Sequence, residues 1–82
     1  MTRLVLYGRQ GCHLCDEAND AIVRLRDELG PFELHAVDID SDDALHKAYL
    51  ERIPVVEVDG VIVSDLELDV RAVREALRRR RG

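Results

Sequence analysis

The chain's two cysteines stand two residues apart in Cys12-His13-Leu14-Cys15, where a strand-like run gives way to a helical stripe. That placement constrains the fold more than any other feature. On the N-terminal side, Leu4-Val5-Leu6-Tyr7 is a short apolar run stopped by Gly8 and reads as a buried strand, with a loop over Gly8-Arg9-Gln10-Gly11. On the other side, Leu14, Ala18, Ala21, Ile22, Leu25 and Leu29 recur at helical spacing until Gly30-Pro31 ends the pattern. A Cys-x-x-Cys pair at such a junction is a redox signature. As a staple it would do little, because a bridge between near neighbours closes a very short loop and removes little entropy from the unfolded chain.

The remaining pattern supplies the partners of this first unit. Phe32-Glu33-Leu34-His35-Ala36-Val37 alternates and predicts a second strand. Ser41 is the expected N-cap of a short helix whose buried stripe would be Ala44, Leu45, Ala48 and Tyr49. Ile53-Pro54 opens a strand over Val55-Val56-Glu57-Val58. Asp59-Gly60 predicts a two-residue type I′ turn, and Val61-Ile62-Val63-Ser64 is its return strand. Val70, Val73 and Leu77 stripe a C-terminal helix. The order βαβ, helix, β-hairpin, helix implies a parallel pair with a right-handed crossover and an added antiparallel pair.

Eighty-two residues make one domain, 1–82, with a core that suffices if tightly packed. Apolar content of 46% and charged content of 35% predict a soluble protein. No apolar run approaches the roughly 18 residues that span a bilayer, and the N-terminal stretch is too short for a signal peptide. The expected compartment is the cytoplasm, where a cysteine pair is more often catalytic or metal-binding than structural. A net charge of −5 disfavours non-specific nucleic-acid binding. The charge is uneven: Asp38, Asp40, Asp42 and Asp43 form an acidic middle, and Arg78 to Arg81 a basic tail. The tail reads as a solvated helix end that complements the dipole, the sharper alternative being a contact with an acidic partner.

Thiolate is the nucleophile in disulfide exchange, so the chemistry turns on what stabilises a charged sulfur. Cys12 is placed at the start of the first helix, where free N–H groups and the positive dipole end favour negative charge. Arg9 can bring a permanent cation alongside, and His13, when protonated, a second. Asp16 and Glu17 oppose them by like-charge repulsion. The expected balance is a modest lowering of the Cys12 pKa. Cys15, one turn on, is the natural resolving thiol and the more buried of the two.

With these residues the chain resembles the glutaredoxin branch of the thioredoxin-fold family, in particular the short bacterial glutaredoxin-like proteins. The resemblance rests on the strand–CxxC–helix start, Ile53-Pro54, the element order and a basic residue, Arg9, three positions before the first cysteine. It implies an α/β thioredoxin fold, βαβ-α-ββα, with a four-stranded mixed sheet flanked by three helices. It also implies a cis proline at Pro54 and a backbone at Ile53 that pairs with bound peptide or glutathione. Ser64 and Asp65 occupy the position of the substrate-binding segment, where the family usually has Gly-Gly and an Asp; here the sequence reads Ser64-Asp65-Leu66-Glu67-Leu68-Asp69. Asp65 there would repel a glutathione carboxylate.

The implied activity is thiol–disulfide exchange on protein or small-molecule disulfides, with Cys12 as nucleophile and Cys15 resolving. No tightly bound cofactor is expected, glutathione is a candidate reductant, and the chain is expected to act as a monomer away from membranes. The alternative function is an iron–sulfur or metal-binding module using the same cysteines. Structural zinc needs four ligands, and His13, His35 and His46 lack ligand-like spacing. Haem attachment needs His after the second cysteine, where Asp16 stands. An interaction domain that has lost the chemistry, or incidental buried cysteines, complete the alternatives.

Overall fold

A computed structural model describes residues 1–81, the side chain of Arg81 excepted; that side chain and Gly82, at the end of the basic tail, lie outside the described residues. In order, the elements are β1 (Arg3–Gly8), α1 (His13–Leu29), β2 (Glu33–Asp38), a 3₁₀ turn (Ile39–Ser41), α2 (Asp43–Tyr49), β3 (Val55–Val58), β4 (Val61–Ser64) and α3 (Val70–Arg81). The sheet runs β2-β1-β3-β4. β1 is parallel to β2, antiparallel to β3, and β3 and β4 form the hairpin. The architecture is the α/β thioredoxin fold that the sequence implies, a four-stranded mixed sheet with three helices. Asp59 and Gly60 have φ of 48° and 85°, as a type I′ turn requires.

One face of the sheet carries the core. Leu4 and Leu6 of β1 and Val56 and Val58 of β3 pack with Ala18, Ile22 and Leu25 of α1 and Val73 and Leu77 of α3. The two helices are also tied at the surface. Glu28 receives two hydrogen bonds from Arg74, at 3.0 and 3.2 Å. The bond from Arg74 holds the Glu28 carboxyl below its ordinary value of 4.5. This tie is therefore complete above pH 4.5 and is lost as pH falls through the lowered value.

Three expectations about the helices need correction. The N-cap of α2 is Asp42, whose Oδ1 accepts from the Ala44 and Leu45 amides at 2.8 and 3.3 Å. Ser41 lies in the 3₁₀ turn and donates to the Asp38 carbonyl instead. α2 has no buried residue, and Ala44 and Ala48 are exposed. Two turns are too few to cover a sheet face, so α2 docks by its end, where the Tyr49 ring packs against Tyr7 at 4.9 Å, tilted by 41°. In α1 the buried stripe is Cys15, Ala18, Ile22 and Leu25, and Leu14 is 46% exposed. At 100° per residue Leu14 and Cys15 fall on opposite margins of this stripe, and β1 lies on the Cys15 side, where Gly8 meets it.

Ile22→Ala should cost about 2–5 kcal/mol in denaturant unfolding, because it opens a cavity under the sheet. Ala48→Ser, at a position that the periodicity would bury, should stay within about 0.5 kcal/mol of the parent.

Candidate active site

The connections that meet at one edge of the sheet define the site. β1 and β2 end there and β3 begins there, because β3 is antiparallel to β1. β4 returns to the same edge, and α1, α2 and α3 start from it. The loops 9–12, 50–54 and 64–69 are thus neighbours.

The first loop is a turn in which the Cys12 amide donates to the Arg9 carbonyl at 3.3 Å. Gly11 supplies a φ of 79°, which a residue with a Cβ rarely adopts. Cys12 is the N-cap of α1. Its Sγ accepts from the Cys15 amide at 3.2 Å, and its carbonyl accepts from the Asp16 amide at 3.1 Å. Sulfur therefore holds the place that Ser or Asp usually fills, and the same N–H would stabilise a thiolate after reduction. Cys12 and Cys15 are joined as a disulfide, with Cα atoms 5.2 Å apart. Cys12 is half-buried and Cys15 is 5% exposed.

Gly8 does more than stop β1. A Cβ at this residue would lie 3.0 Å from both Cβ and Sγ of Cys15, so glycine lets α1 sit directly on the end of β1. A glycine directly before the Cys-x-x-Cys loop was the available signal. On the β2 side, a cleft of about 440 Å³ opens beside Cys15, lined among others by Arg9, Asp16, Asn19 and Asp38. Cys15 itself lines this cleft, which is open to solvent.

The surrounding charges are arranged in pairs. Arg9 Nη2 lies 3.2 Å from Asp40 Oδ2, and His46 Nε2 approaches Asp40 Oδ1 at 3.5 Å. The Arg9 backbone is thus tied to Cys12 while its guanidinium is engaged by a carboxylate of the 3₁₀ turn. His13, mostly exposed, has Nε2 3.3 Å from Glu17 Oε1. Tyr7, at the end of β1, is raised above its ordinary pKa, first by burial and then by Glu57, to which its hydroxyl donates at 3.2 Å.

The Ile53–Pro54 bond is cis, and Pro54 is fully buried. Carrying the β1–β3 register one step beyond Tyr7↔Val55 sets Pro54 opposite Gly8, and so on the flank of the cysteines. The third loop is held from within. Ser64 is 7% exposed, and its Oγ accepts from the Asp69 amide at 2.9 Å. Asp65 Oδ2 accepts from Arg52 Nε at 3.0 Å, so its charge is offset rather than presented to an anion. The Leu66 amide donates to the Arg52 carbonyl at 2.7 Å, which fastens this loop to the one carrying Ile53. All the sequence-designated residues thus gather at one edge, with Ser64 turned inward. Among the described residues no three His, Cys, Asp or Glu side chains converge as a metal site, and no helix is long and apolar enough to cross a membrane.

The model of the glutaredoxin-like domain (DUF836) matches residues 3–78. The chain belongs to this family. The X-ray structure of the structural-genomics target XcR50 from X. campestris is 36% identical, covers 93% of this chain and 96% of its own, and superposes with a TM-score of 0.75. The solution structure of Ne2328 from Nitrosomonas europaea is 32% identical over 88% of this chain and 86% of its own, with a TM-score of 0.76. Reduced Escherichia coli glutaredoxin, at 23% identity over 98% of this chain and 95% of its own, shares the fold with a TM-score of 0.60. No curated protein matches the chain. This glutaredoxin-like fold and its paired cysteines support a redox-type function.

Asp40 holds the Arg9 guanidinium at 3.2 Å, so a part for Arg9 in stabilising a Cys12 thiolate is tested through Asp40. In the reduced protein, Asp40→Asn should therefore speed iodoacetamide alkylation of Cys12 at neutral pH, and Arg9→Gln should slow it. Both effects should shrink at high salt, because these side chains are solvated.

Proposed function

We propose that the protein is a thiol–disulfide oxidoreductase that reduces disulfides of proteins or small thiols through a mixed disulfide. The observation that carries this reading is Cys12 itself: a half-buried sulfur at a helix N-terminus, accepting the Cys15 amide and bonded to a buried Cys15.

The dithiol form starts the cycle. Cys12, as thiolate, attacks one sulfur of the substrate; a new S–S bond forms, the substrate bond breaks, and the leaving sulfur departs as thiolate and takes up a proton. Cys15 then loses its proton to water in the adjoining cleft and attacks Cys12 Sγ. The Cys12–Cys15 disulfide forms and the second substrate sulfur leaves as a thiol. The substrate disulfide gains two electrons and the enzyme dithiol loses two. An external thiol, with glutathione as one candidate, returns the disulfide to the dithiol, and we place this cycle in the cytoplasm, where thiol pools are reducing. Arg9 and the α1 N-terminus lower the cost of the thiolate, His13 tunes it when protonated, and the backbone at Ile53-Pro54 docks the substrate as an added strand. The 64–69 loop bounds the docking ledge, with Ser64 and Asp65 shaping it. The protein acts as a monomer and needs no tightly bound cofactor.

With dithiothreitol as reductant and hydroxyethyl disulfide as substrate, Cys12→Ser should fall to the uncatalysed rate. Cys15→Ser should accumulate a mixed disulfide on Cys12, read by intact mass. Full turnover by Cys12→Ser would refute the assignment.

A further inference from the structure

The fold sorts the chain's charge by end. The segments that meet at the cysteine edge, residues 9–17, 38–54 and 64–69, hold ten carboxylates and three Arg or Lys; the rest of the sequence holds seven carboxylates and nine Arg. Of the cations at the cysteine edge, Arg9 and Arg52 are already paired, with Asp40 and Asp65. Asp16 and Glu67 are exposed, and among the described residues no Arg or Lys pairs with either. At the opposite end, Arg80 reaches Asp59 of the hairpin turn and Arg78 reaches Glu28, so the basic tail lies far from the cysteines.

Apolar side chains stand among these carboxylates. Leu14, between the cysteines, is 46% exposed, and Leu66 is 56% exposed. Ile53, half-buried, lies on the loop to which Leu66 is fastened. Leu66 also has a φ of 64°, a left-handed backbone that leucine rarely adopts. At 56% exposure, this leucine spends more than half of its surface on solvent rather than on the core. Such outliers concentrate where a chain binds something.

We propose that this edge docks a cationic segment of a partner protein whose disulfide is flanked by apolar residues. Its substrate class is thereby set apart from anionic small disulfides such as oxidised glutathione. The proposal rests on the oxidoreductase reading above and uses the same two exchange steps. The segment runs along Ile53, its apolar side chains rest on Leu14 and Leu66, and its Arg or Lys face Asp16 and Glu67. Attraction between opposite charges in this geometry raises the encounter rate and fades with salt.

Two peptides of equal length test this, each with Leu on both sides of one cysteine joined to thionitrobenzoate, one carrying Arg at its ends and the other Glu. Their reaction with the Cys15→Ser variant is followed by thionitrobenzoate release, each rate divided by that with mercaptoethanol. The Arg peptide should react about tenfold faster or more at low ionic strength, with the ratio nearing one at 0.5 M salt. Asp16→Asn with Glu67→Gln should narrow the ratio, and Leu→Ser in the Arg peptide should slow it. Equal rates at low salt, or a faster Glu peptide, overturn the proposal while leaving the oxidoreductase reading intact. No reaction with either peptide overturns that reading itself. Concentration-dependent self-association in sedimentation, with the Arg peptide failing to compete, would assign the acidic edge to the basic end of a second copy and also overturn the proposal.

Discussion

The approach of Gly8 to Cys15, where even a Cβ would come within 3.0 Å of the sulfur, fixes where α1 begins on the sheet. The consequences run outward from it. Cys15 faces inward and takes its place in the line of Ala18, Ile22 and Leu25. Cys12, three residues back, is left at the N-cap with its sulfur turned to the free amides of the first turn. One close contact therefore gives the two thiols different surroundings: a half-buried residue at the helix N-terminus, where backbone dipoles favour an anion, and a buried one that lines a cleft. A larger residue at Gly8 would push the helix outward and blur that difference.

The strand-and-helix frame was legible because its periods were long and cleanly bounded. Leu4 and Leu6, the stripe from Ala18 to Leu25, and Val73 with Leu77 are all core residues. Asp59-Gly60 named its turn. What escaped was short-range competition. Ser41 and Asp42 are both good caps, and the carboxylate captured two amides while the hydroxyl turned back to Asp38. Ala44 and Ala48 have helical spacing, but a seven-residue helix leaning by its end against Tyr7 has little to bury. At the site, the cysteines, Arg9 and Ile53-Pro54 were visible from their order. The pairing of Arg9 with Asp40, and of Asp65 with Arg52, was not, because each joins residues far apart in sequence or in different loops.

These pairings change how the site's electrostatics reads. Asp65 does not stand as a free charge against an anionic substrate, since Arg52 offsets it. Negative potential at this edge comes instead from the number of carboxylates that the three loops and α2 bring together. Arg9 is the one cation whose backbone is bonded directly to Cys12 through the turn, and Asp40 draws on it. On the proposed reading, the reactivity of Cys12 is a balance between the helix terminus and Arg9 on one side and the local acids on the other.

That balance is the centre of the account, and a thiolate titration of the reduced protein addresses it most directly. Absorbance near 240 nm against pH should show one sulfur ionising below the ordinary thiol value of about 8.5. That step should vanish in Cys12→Ser and persist in Cys15→Ser. Ionisation of Cys12 at or above the ordinary value, or a low step that survives in Cys12→Ser, would contradict it.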